Sequence, residues 1–172
     1  MILTIHTLAG AAIANQFKNP LLGWLLAFFS HFILDLIPHC EYSLKDAKLG
    51  WKNKKFWFVA FKLLLDFGAG FLFIIIFTQN KSNLLNNLIG GFFGILADGF
   101  SLVAYLIKNQ NWKKLFLGMI IEKTKEKPKN LLEKIGEGYI KFHHFLHFNK
   151  KPRLLWGILN QIIIFLTALL LL

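Results

Sequence analysis

Residues 21–38 run Leu21-Leu22-Gly23-Trp24-Leu25-Leu26-Ala27-Phe28-Phe29-Ser30-His31-Phe32-Ile33-Leu34-Asp35-Leu36-Ile37-Pro38. About 20 mainly apolar residues cross the ~30 Å of bilayer hydrocarbon as a helix. The stretch therefore predicts a membrane span with an acid inside it. A carboxylate at the centre of a bilayer costs roughly 2.5–3.5 kcal/mol on the lenient insertion scale. A cost of that size calls for a partner: a cation, a metal or a proton pathway. Asp66 and Asp98 pose the same problem inside the apolar runs 56–77 and 84–107.

The rest of the chain fits a membrane setting. Of 172 residues, 55% are hydrophobic, 19 are phenylalanine and 17% are charged; a soluble domain carries about 25% charged residues. The expected fold class is all-α, a polytopic membrane helix bundle of four to five transmembrane helices in a single domain, 1–172. Spans are expected at about 2–17, 21–38, 56–77, 84–107 and 154–172. The first is the weakest. It holds His6, Thr7, Asn15 and Gln16 around a run of small residues, which suits a short span or a re-entrant helix packed inside the bundle. It has neither a basic leader nor a small-residue cleavage site, so it is expected to be retained. The single cysteine, Cys40, permits no internal disulfide.

Basic residues set the expected orientation. Residues 41–55 hold five lysines and residues 108–153 hold twelve of the 20 Lys and Arg. With five spans both segments share one side with the N-terminus, and the positive-inside rule places that side in the cytoplasm. The expected location is a bacterial-type inner membrane. Within the second basic segment, 111–122 suggests a short interfacial helix. Leu132, Ile135, Tyr139, Phe142 and Leu146 then recur at helical spacing, so about 111–148 is expected to lie as an amphipathic segment on the cytoplasmic face. The net charge of +11 favours anionic lipid headgroups as partners. Basic-aromatic stretches such as 52–57 abut a span and mark an interface belt, so no nucleic-acid partner is expected.

Depth and azimuth then bring the polar residues together. At ~1.5 Å per residue, His6, His31, Asp35, His39, Asp66, Asp98 and Gln161 all fall in the half of the bilayer nearest the basic side. His31, Asp35 and His39 follow i, i+4, i+8 and line one helical face. An i, i+4 pair is how a helix offers two ligands to one metal. Imidazole with carboxylate suits zinc first, or manganese, iron or nickel. His143 and His147 repeat the i, i+4 spacing, and His144 lies between them. Each residue alone has a plainer reading. Asp66 or Asp98 can be a helix–helix hydrogen-bonding partner, His6 and His39 can be polar caps, and His143, His144 and His147 can meet headgroups. No Gly-rich phosphate loop, Gly-x-Ser-x-Gly elbow or His-Glu-x-x-His is present.

The motifs 6–13 (His-Thr-Leu-Ala-Gly-Ala-Ala-Ile) and 30–39 (Ser-His-Phe-Ile-Leu-Asp-Leu-Ile-Pro-His) resemble those of the small bacterial membrane proteins grouped as metal-dependent hydrolases of the YdjM type. Ile95-Leu96-Ala97-Asp98 is similar to that group's Leu-Pro-Asp element, with Ala97 in place of proline. Phe142-His143-His144-Phe145-Leu146-His147 and Asn160-Gln161 are similar to its C-terminal region. The combined expectation is a membrane metal-dependent hydrolase acting on a lipid or other anionic ester or phosphoester. His6, His31, Asp35, His39, His143, His144 and His147 are the candidate ligands, Asp98 and Asp66 the candidate catalytic acids, and Gln161 the candidate outer support. Two alternatives carry the same residues differently: a small proton-coupled carrier with a carboxylate relay, and a non-catalytic lipid-binding adaptor.

Overall fold

The computed structural model describes residues 2–40, 53–78, 81–108, 131–146 and 154–172. All secondary structure among them is helical. The described residues form six α-helices: α1 (Leu3–Asn15), α2 (Pro20–Leu36), α3 (Lys54–Phe77), α4 (Leu84–Lys108, entered through a 3-10 turn at Lys81–Asn83), α5 (Leu131–Leu146) and α6 (Leu154–Leu171). The chain forms two units, Met1–Leu96 with Phe148–Leu172, and Ala97–His147. The expected helix at 111–122 lies outside the described residues.

Among the described residues two helices, α3 and α6, are long and apolar enough to cross a membrane, and α2 is a shorter apolar helix. Their outward side chains are large and apolar, among them Phe58, Leu64 and Ile76 on α3 and Leu155, Ile163 and Leu170 on α6. Surface of this kind is stable against lipid or protein and costly in water.

In the first unit α1 is the central element and packs against α2, α3 and α6. Its 13 residues cover about 20 Å at ~1.5 Å per residue. Leu8, Ala11 and Ala12 form a buried core with Ile74 of α3 and Ala168 of α6. The polar groups at its far end are matched to carbonyls at helix C-termini, where intrahelical partners run out. Asn86 of α4 donates to Ala14 O and accepts from the Trp24 indole of α2. Asn15 and Gln16 both donate to Leu171 O at the end of α6.

Small residues bring α1 and α4 backbone to backbone. A Cβ on Gly10 would stand 2.5 Å from Gly90 O, and one on Gly94 would collide with the His6 carbonyl oxygen. Gly70 and Gly91 are also confined by neighbouring side chains, whereas Gly68 faces open space. In the second unit α5 packs on the end of α4. Tyr139 hydroxyl donates to Ala97 O at 2.8 Å, and a Cβ on Gly136 would lie 3.3 Å from the Ala104 methyl.

These contacts set opposite outcomes for two helical glycines. Gly10→Val is expected to lower stability by at least about 1–3 kcal/mol, because the added volume meets backbone that cannot rotate away. Gly68→Ala is expected to be neutral or to stabilise by up to about 1 kcal/mol through helix propensity. Thermal unfolding of the detergent-solubilised chain measures both.

Candidate metal centre

Helix α2 starts cleanly. The Asn19 side chain accepts from Leu21 N and Leu22 N, and Pro20 occupies the first turn, where its missing N–H is no loss. His31 and Asp35 then fall one turn apart on the face turned into the first unit, both buried. Helix α1 supplies His6, buried against the same face. His6, His31 and Asp35 are 1%, 0% and 1% exposed, so water does not solvate the carboxylate.

Asp35 stands between the two imidazoles. Its Oδ1 is 3.2 Å from His6 Nε2 and its Oδ2 is 3.1 Å from His31 Nε2. The two rings stack with centroids 4.2 Å apart and planes 30° apart. One ligand atom from each residue lies within 4.8 Å of the others, so the group can hold a metal ion.

Helix α4 fixes the state of His31. Its Nδ1 lies 2.9 Å from Gly94 O. A carbonyl only accepts, so Nδ1 carries the proton. In neutral His31 the Nε2 lone pair then faces Asp35, and two acceptors confront each other at 3.1 Å. A proton or a cation between them resolves the conflict. The same question arises at His6, where neither ring nitrogen makes a hydrogen bond among the described residues. Protonating both stacked rings would set two positive charges side by side. A single divalent cation satisfies both imidazoles and the carboxylate at once. A backbone carbonyl that accepts from the other ring nitrogen is also a usual outer support of a metal-ligating imidazole.

The other predicted ligands are placed differently. The i, i+8 line does not reach His39: α2 ends at Leu36, and Ile37 is extended (ψ 129°). Pro38 is the cause, since the residue before proline is pushed out of the α region. His39 instead sets Nδ1 2.6 Å from Ile37 O. Gln161 is buried, but its Nε2 donates to Cys40 O at 2.7 Å, and Asn160 donates to Pro38 O at 2.9 Å. The pair clamps the chain leaving α2 onto α6. Asp66 accepts from Leu3 N and Thr4 N, and from the Thr4 hydroxyl, at the start of α1.

Within the second unit, His143 Nε2 lies 3.7 Å from Asp98 Oδ1. Tyr139 stacks nearly parallel to the His143 ring, 15° between planes. The side chain of His144 and all of His147 lie outside the described residues. Gly94 and Asn160 were not singled out by sequence spacing; a glycine and an asparagine give no chemical signal until their helices are docked. Comparison of the chain with protein-family models, curated proteins and solved structures gives no match.

Gly94 touches the backbone of one candidate ligand and the side chain of another. Gly94→Ala is therefore expected to push α4 off α1, lengthen the bond to His31 and weaken divalent-metal affinity by about 10–100-fold. Competition titration against a metallochromic chelator measures it, and unchanged affinity would show that His31 does not need this carbonyl.

Proposed function

We propose that the protein is an integral membrane metal-dependent hydrolase. Its His6–His31–Asp35 centre takes one divalent ion and acts on an anionic ester or phosphoester, such as a lipid. The observation that carries this reading is the buried Asp35 carboxylate facing two imidazole nitrogens at 3.2 and 3.1 Å. The proposed placement has four to five helices within a bacterial-type inner membrane and the basic segments facing the cytoplasm. It draws support from the apolar α3 and α6 and from the clustering of the charge. The sequence resemblance to the YdjM-type group points the same way.

Three protein ligands leave a position for water or substrate, the arrangement of catalytic rather than closed structural zinc sites. Zinc is the proposed ion, with manganese, iron and nickel compatible with the same donors. A divalent ion bound there supplies Lewis-acid polarisation of a carbonyl or phosphoryl oxygen and lowers the pKa of a water toward ~7. The chain's own residues do the holding. Asp35 contributes the negative charge and His31 is held in one tautomer by Gly94 O. His6 brings a ligand from a second helix. Asp66 is assigned to α1 rather than to proton transfer, because both of its oxygens already accept from the first turn. Asp98, paired with His143, is assigned no step.

Full-length protein purified in mild detergent is expected to carry about one divalent ion per chain by elemental analysis. His31→Ala and Asp35→Ala are each expected to lose it, and His6→Ala to bind it only weakly, through the two ligands that remain on α2. Chelator-sensitive release of headgroup from anionic phospholipid vesicles tests the hydrolase itself. Ligation needs neutral imidazole, so protons compete with the ion and metal affinity is expected to fall as pH is lowered. A metal-free wild type would sink the proposal.

A further inference from the structure

We infer that Asp66 is a positioning residue for this centre: from α3 it caps the first turn of α1 and so fixes where His6 stands. The inference rests on the metal-centre reading above and assigns a role to a residue outside the ligand set.

Helix α1 begins without a cap of its own. Ile2 occupies the cap position, no side chain there accepts a hydrogen bond, and the first turn contains no acid. Its leading N–H groups need acceptors from elsewhere. Asp66 Oδ2 accepts from Leu3 N at 2.8 Å and Oδ1 from Thr4 N at 3.0 Å. The Thr4 hydroxyl lies 2.6 Å from Oδ1 and 2.7 Å from the Asp66 carbonyl oxygen. A carboxylate also suits the positive end of the helix dipole.

A second contact holds the same turn. Gly70, one turn along α3 from Asp66, lets that helix approach Thr7 so closely that a Cβ there would stand 2.8 Å from Thr7 Cβ. His6 lies between these two anchors, Thr4 and Thr7. An uncapped first turn frays, and His6 Nε2 has little room to move if it is to stay 3.2 Å from Asp35 Oδ1. Asp66 thus acts on the centre through α1, without touching it.

The test uses cobalt(II) as the probe, titrated into the full chain in mild detergent and followed by its visible absorption. Asp66→Ala is expected to weaken cobalt binding by about 10–100-fold, the range for losing an outer support, and to change the absorption envelope. Asp66→Asn keeps one acceptor oxygen and is expected to recover most of the affinity; it also serves if the alanine variant folds poorly. In a His6→Ala background, Asp66→Ala is expected to add no further loss, because the group it positions is gone. Hydrogen exchange is expected to show Leu3 and Thr4 amides losing protection in Asp66→Ala. Wild-type affinity and spectrum in Asp66→Ala would overturn the positioning role and leave the metal centre standing. An equal further loss in the His6→Ala background would overturn it as mere destabilisation. A wild type that binds no cobalt would overturn the metal centre and this inference with it.

Discussion

A carboxylate shut away from water has to be neutralised where it stands, and in this protein that carboxylate is Asp35. Burial of an unpaired charge costs on the order of several kcal/mol even after relaxation. The two imidazoles at its oxygens mark where the compensating proton or cation sits, and much of the first unit serves to bring them there. Helix α2 supplies His31 by simple periodicity. His6 is harder to deliver, because it comes from a separate helix that must lie close to both α2 and α4.

That delivery explains features that look unrelated. The small residues Gly10, Gly90 and Gly94 let α1 and α4 touch through backbone. The same approach presents Gly94 O to His31. Asp66 closes the N-terminal end of α1, while Asn86 takes up Ala14 O near its C-terminal end. Asp66 and Asn86 act on the terminal backbone groups of a short buried helix, where intrahelical partners run out. Together these contacts hold α1 at both ends and along its side.

The sequence allowed some of this to be foreseen. The His31–Asp35 pair was visible because helical periodicity is local and the i, i+4 spacing survives any tertiary arrangement. His6 was visible as an imidazole in an apolar segment, although its partner was not. His39 follows the same spacing, but Pro38 ends the helix at Leu36, so the third position leaves the helical face. Asp66 and Gln161 stand out in the sequence as polar groups within apolar runs, but their partners include backbone atoms of Leu3, Thr4 and Cys40. Backbone acceptors and donors have no signature in a sequence. Gly94 was missed for the same reason, since its contribution is a carbonyl and the lack of a side chain. The all-helical fold followed from long apolar runs. Of the expected spans, α3 and α6 have the length and composition to cross a membrane.

His31 and Asp35 share one helix, whereas His6 belongs to the preceding one, from which the turn at Asn19-Pro20 separates them. Two-thirds of the constellation is consequently assembled as soon as α2 coils, and the remainder waits for α1 to dock. A cation gripped by all three would act as a latch between these segments, making the seating of the N-terminal helix and the occupancy of the centre two faces of a single equilibrium.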